Sequence, residues 1–184
     1  MSRLIHTLKS IPAYVVGSLI FRIWGGVAFA RHKGVKVGRD CRIYIQQFGT
    51  EPFLIHIGDR VTITAGVKIL THDGSTILVR NQKGRRYFYY APVEIGNDVF
   101  IGVNAVILPG VTIGSNVVIG AGSIVTGNIP DNSVAVGSPA RVVGSFDAFK
   151  SRVTKRYVND CELDGVTEYE QRVRTALSLI SEKV

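Results

Sequence analysis

The sequence predicts an all-β solenoid, a parallel β-helix with helical elements at both ends, and three observations carry that reading. Nine aliphatic residues fall on a six-residue grid: Ile57, Ile63 and Ile69, then Ile95, Ile101, Ile107, Ile113, Ile119 and Val125. The residue after the aliphatic is glycine at Gly58, Gly96, Gly102, Gly114 and Gly120. The fourth residue after it is small or apolar, as in Val61, Val67, Val99, Ala105, Val111, Val117 and Ser123. A fixed short period marks a repeat architecture. Each unit reads as one short strand whose β-branched residue points inward, and the small residue beside it allows a corner. Outward positions carry Asp59, Arg60, Asn97, Asp98, Ser115 and Asn116. Neither the turn clusters of a hairpin sandwich nor the helical patterns of a βαβ fold occur between Val93 and Pro130.

The grid orders the rest of the chain. Residues 1–34 form an apolar N-terminal element, residues 35–143 the repeats, and residues 144–184 a helical C-terminal extension. Ile11 to Ala30 is apolar but contains Pro12, Gly17, Arg22, Gly25 and Gly26, which argues against a spanning helix. Two readings of it stand. It covers the open end of the coil, as solenoid caps do, or it contacts a membrane surface through Phe21 and Trp24 with Arg3, Lys9, Arg22, Arg31 and Lys33. Thr167 to Ile180 reads as an amphipathic helix through Val173, Leu177 and Ile180.

The grid slips between Ile45 and Ile55 and breaks from Asp73 to Pro92. Long excursions from a compact solenoid are usually functional. The second carries Arg80, Lys83, Arg85 and Arg86, then Tyr87, Phe88, Tyr89 and Tyr90. Such a run suits binding of a phosphate and a stacked base or sugar, through Asp73, Arg85 and Arg86, or burial against a neighbouring subunit.

The stretch from Ile95 through Gly-Asn-Asp-Val-Phe-Ile-Gly-Val-Asn-Ala-Val-Ile-Leu-Pro-Gly-Val-Thr-Ile to Gly114 resembles the hexapeptide-repeat acyltransferases. So do Val118-Ile-Gly-Ala-Gly-Ser-Ile-Val-Thr and Val136-Gly-Ser-Pro-Ala-Arg-Val-Val. The resemblance is greatest to maltose and galactoside acetyltransferases and surface-polysaccharide O-acetyltransferases, and it runs from about Val35 to Val143. It implies a left-handed coil, acetyl-CoA as acyl donor, a carbohydrate acceptor and a homotrimer. It also places a general-base histidine at His72, ahead of the long excursion. The Val103 amide would meet the thioester oxygen, Ala121 and Thr126 would line the pantetheine groove, and Arg141 would meet the coenzyme phosphates. Gly127 stands where the family usually has a lysine.

The chemistry that the resemblance implies requires such a base. A sugar hydroxyl is a poor nucleophile at neutral pH, and an imidazole can take its proton during attack on a thioester. Such a base needs an orienting acceptor on its other nitrogen. Glu51, at the first slip, is the carboxylate expected to stack near it. His56 defaults to the surface.

The formal charge of +8 on 184 residues favours an anionic partner, but no nucleic-acid motif accompanies it. Cys41 and Cys161 have no metal-ligand spacing, and His56 and His72 lack the spacing of a zinc hydratase, so no metal is expected. The cysteine count fits a reducing compartment, the cytoplasm, with contact at the inner membrane surface as the second reading. N-acetylation of a nucleotide-linked amino sugar and a non-catalytic scaffold are the alternative functions.

Overall fold

Three sheets, parallel from coil to coil, divide the grid among them, so that one turn of the coil visits each sheet once. The computed structural model describes residues 13–183; His6 and the Arg3, Lys9, Ile11 and Pro12 of the N-terminal readings lie outside them. The first sheet stacks β1 (Lys36–Val37), β3 (Ile55–Ile57), β6 (Val93–Ile95) and β9 (Thr112–Ile113). The second runs from β2 (Arg42–Ile43) through β4 (Thr62–Ile63), β7 (Val99–Ile101) and β10 (Val117–Ile119) to β12 (Ser133–Gly137) and β13 (Ala140–Ser145). The third holds β5 (Lys68–Ile69), β8 (Val106–Ile107) and β11 (Ile124–Val125).

Register follows the aliphatic grid. Ile43 pairs with Ile63, Ile63 with Ile101 and Ile101 with Ile119, while Ile69 pairs with Ile107 and Ile107 with Val125. All nine grid residues are buried, and so are the seven at the fourth position. The two inward rows are therefore one continuous core.

The corners correct the role expected of the glycines. The left-handed backbone at one corner belongs to Asp40, Arg60, Asp98, Asn116 and Asn132, with φ between 55 and 57°. Asn and Asp tolerate this region better than most side chains. Gly96 and Gly102 are needed for close stacking instead. A Cβ on Gly96 would lie 2.8 Å from the backbone of Gly114, and one on Gly102 would lie 2.5 Å from the Ala121 amide.

The same corner carries a polar ladder between coils. The Arg39 amide donates to Asp59 Oδ1 at 2.8 Å, the Asp59 amide to Asn97 Oδ1 at 2.8 Å, the Asn97 amide to Ser115 Oγ at 3.0 Å, and the Ser115 amide to Asp131 Oδ1 at 2.6 Å. Each side chain thus satisfies a backbone donor one coil earlier.

Helix α1 (Ala13–Lys33) breaks its helical backbone at Gly25, where φ is 80°. It packs on β1 and β2. Phe29 and Ala30 are buried there, and the Phe29 ring sits 6.3 Å from Phe48. Any Cβ at Gly26 would fall 1.8 Å from the Ile43 carbonyl oxygen, so glycine lets the helix reach the edge strand. Leu19, Ile23 and Trp24 face outward. No helix among the described residues is long and apolar enough to cross a membrane.

Contacts divide the chain between Val143 and Gly144. In the second unit, α2 (Phe146–Arg156) is capped by Ser145, whose hydroxyl accepts from the Ala148 amide. Helix α3 (Tyr169–Glu182) starts two residues later than Thr167 because the Glu168 carboxylate caps the Glu170 and Gln171 amides. Its less exposed positions include Arg172, Ala176 and Leu179, whereas Val173 and Leu177 stay exposed. Of the expected apolar stripe, Ile180 alone is among the less exposed positions.

Candidate active site

The long excursion begins where the third sheet ends, and its base is tied shut. Thr71 is 1% exposed, and its carbonyl accepts from the Ala91 amide at 2.9 Å. His72 and Tyr90 form an antiparallel bridge, with the Asp73 amide donating to the Tyr89 carbonyl at 3.2 Å. Beyond it, the Asp73 side chain accepts from the Ser75 amide and opens a 3-10 helix over Gly74–Leu78. Arg80 and Arg86 form a second bridge, and Asn81 Oδ1 accepts from the Lys83 and Arg85 amides around a left-handed Gly84. The excursion is thus a hydrogen-bonded ribbon rather than an irregular loop.

Glu51 enters from the earlier slip, just ahead of the 3-10 turn Pro52–Leu54. Its carboxylate accepts from Thr50 Oγ1 at 2.6 Å, Thr71 Oγ1 at 2.8 Å and His72 Nδ1 at 2.9 Å. The Thr50 hydroxyl is the main reason that the Glu51 carboxyl titrates below the usual glutamate range. Partial burial opposes it, and His72 and Thr71 add to it. An ionised carboxylate can only accept, so the His72 proton sits on Nδ1 and Nε2 is left as the basic nitrogen. Nε2 makes no hydrogen bond among the described residues.

The pair lines a chamber of about 290 Å³ whose other walls include Asp73, Arg86, Tyr87 and Tyr90. The Arg86 guanidinium lies 4.4 Å from the centre of the Phe88 ring, which stacks on Tyr90 at 6.1 Å. Tyr90 meets the His72 ring edge-on at 6.2 Å. Asp73 does not orient His72: Ser75 occupies its carboxylate and holds its pKa below the ordinary value. Arg85 does not line the chamber.

The four residues expected on the coenzyme side lie elsewhere. Val103 and Ala121 occupy one corner a coil apart, tied by the Gly122 amide donating to the Val103 carbonyl at 2.8 Å. Both are exposed, and neither backbone amide has a partner among the described residues. Thr126 follows β11, and Arg141 lies on β13, where its Nη1 donates to the Ala140 carbonyl at 2.9 Å. None of the four lines the His72 chamber.

Sequence reasoning assigned no role to Thr50 and Thr71, the hydroxyls on Glu51. Their adjacency to Glu51 and His72 is the signal that could have found them. His56 makes its own carboxylate contact, Nδ1 to Glu94 Oε1 at 2.7 Å, across the first sheet. Among the described residues no cluster of His, Cys, Asp or Glu could hold a metal ion. Cys41 and Cys161 are free thiols.

Residues 92–127 match the family described as Bacterial transferase hexapeptide (six repeats). Protein CapG of Staphylococcus aureus is 49% identical over 126 residues, which are 67% of this chain and 73% of that protein. Galactoside O-acetyltransferase of Escherichia coli K12 is 39% identical over 117 residues, covering 64% of this chain and 57% of that protein. The crystal structure of a maltose O-acetyltransferase from Clostridium difficile 630 superposes with a TM-score of 0.51 at 29% identity, covering 71% of this chain and 84% of that one. With the CapG similarity spanning nearly three quarters of that protein and the repeat match falling on these same coils, the chain belongs to the hexapeptide-repeat acyltransferase family, and its coil is that family's left-handed parallel β-helix.

Proposed function

We propose that the protein is an acetyl-CoA-dependent O-acetyltransferase whose acceptor is a sugar hydroxyl, on a surface glycan or its nucleotide-linked precursor. The observation that carries the reading is the Glu51-held His72, with Nε2 spare beside a chamber. The names of the galactoside and maltose relatives support the carbohydrate acceptor.

His72 Nε2 takes the acceptor hydroxyl proton as that oxygen attacks the thioester carbonyl. Glu51 holds the ring in place and favours the imidazolium that forms. The spare Val103 amide is the donor for the developing oxyanion. Collapse breaks the carbon–sulfur bond, and the departing thiolate recovers the proton from His72. The spare, exposed corner at Val103 and Ala121 fits an extended pantetheine chain, with Thr126 and Arg141 further along.

A homotrimer completes this arrangement. The coenzyme-side residues do not line the chamber of their own chain, and Ile77, Leu78 and Val79 on the excursion are exposed, Leu78 by 84%. A neighbouring copy would cover that apolar edge and bring its own corner to the chamber. Free thiols at Cys41 and Cys161 suit the cytoplasm. The outward Leu19, Ile23 and Trp24 suit contact with the inner face of a membrane.

The deciding experiment is acetyl-CoA turnover over a panel of sugars, followed by free-thiol release. His72→Ala should lower turnover by about a hundredfold or more, with coenzyme affinity and Tm nearly unchanged. Retained transfer to an alcohol acceptor would remove His72 from the role of base.

A further inference from the structure

Beside the chamber runs a second depression with a different charge. Its two openings, of about 420 and 400 Å³, share Gln46, Gln47 and Lys68 and so form one trough. Lys33 lines one opening and Tyr44 the other. The trough meets the chamber along both strands of chain. Gly49 and Leu70 line the trough, while Thr50 and His72, one and two residues further on, line the chamber.

The chamber carries two carboxylates, Glu51 and Asp73, and one arginine, Arg86. No carboxylate lines the trough. Lys33 and Lys68 make no ion pair or side-chain hydrogen bond among the described residues. Gln46 and Gln47 offer amide donors and acceptors suited to hydroxyls. Tyr44, 57% exposed, and Leu70, 39% exposed, offer an apolar surface for the face of a pyranose. Two uncompensated ammonium groups beside sugar-binding chemistry select a negative substituent.

We propose that this trough binds an anionic sugar unit of the acceptor, a carboxylate- or phosphate-bearing residue next to the one whose hydroxyl meets His72. The proposal rests on the acetyltransferase reading and narrows its substrate class. Lysine ammonium groups accept either anion as point charges, so the carboxylate and phosphate arms must be separated by experiment.

The test compares three disaccharide acceptors on the full chain, in which a galactoside is linked to galacturonate, to galactose 6-phosphate or to neutral galactose. Calorimetry with coenzyme A present gives binding, and acetyl-CoA kinetics give kcat/KM. At low ionic strength at least one anionic sugar should exceed the neutral one by about tenfold in both measures, and salt should shrink the margin. Whichever anionic sugar leads identifies the substituent. In Lys33→Gln with Lys68→Gln that ratio should fall to about one, and Lys33→Gln with Lys68→Glu should push it below one. Both side chains are exposed, which leaves folding intact. An absent preference in the wild type, a preference unchanged by the double variant, or an effect confined to the KM of acetyl-CoA would overturn the proposal. Anion-selective binding without acetyl transfer to any sugar would instead overturn the enzymatic reading and leave the trough assigned.

Discussion

The coils from Val93 to Val125 and the stretch from Ile45 to Pro92 share the same three sheets but spend their side chains differently. In the first, grid position, packing position and corner recur every six residues, and nearly all chemistry serves stacking. In the second, Glu51 and His72 stand where the grid slips or ends, next to Thr50 and Thr71. Regularity leaves little freedom at a corner, because the neighbouring backbone is too close. The side chains proposed for catalysis, Glu51 and His72, stand where the chain leaves the repeat, and the repeat holds the two departure points together.

The contrast can be broken first at the glycines. Gly102→Ala should cost about 1–3 kcal/mol, read as a lowered Tm, because its Cβ meets the Ala121 backbone. Gly127→Ala, with nothing within 4 Å of the added atom, should be nearly neutral. Equal Tm values for the two would mean that coil spacing is soft, and the regular half would lose its claim to rigidity.

A smaller effect is expected at Glu51. Glu51→Gln should lower kcat about tenfold, a share of the general-base contribution, while both KM values hold. If kcat is unaffected, the orienting role passes to a backbone carbonyl.

The smallest concerns Thr50, the main cause of the depressed Glu51 pKa. A depressed carboxyl stabilises the fold fully above its unfolded pKa, and that contribution is lost as pH falls through the folded pKa. Thr50→Val raises the folded value toward normal. It should therefore cost about 1 kcal/mol at neutral pH, with the Tm gap from wild type closing in acid. A gap independent of pH would assign the loss to packing alone.

How much of this was legible depends on what kind of constraint each residue obeys. Ile95 to Val125 announced the coil because a ladder must repeat one shape at one interval. His72 stands out through its place at the mouth of the long excursion, and Glu51 through its place at a slip. The hydroxyls of Thr50 and Thr71 were hidden, since threonine is common in strands and their meeting point depends on two breaks aligning in space. The corner glycines were seen, but the reason for them was not: close approach leaves the same mark in sequence as a left-handed φ. The ribbon within Asp73 to Pro92 is also invisible in sequence, since its turn is closed by the amide, carbonyl and side chain of one residue, Asn81.

The corner ladder has a consequence for how such a chain grows. Its rungs are separated by 20, 38, 18 and 16 residues, yet each amide finds its acceptor. The ladder therefore works as an address system: it records which coil follows which and ignores how much chain lies between. A twenty-residue detour can be spliced between two addresses without rewriting any other. The system also has a direction. Every coil leaves a donor whose protein acceptor lies on its successor, so during synthesis each turn lacks that contact until the next arrives, and new loops can be tried in the middle while the order of the stack is kept.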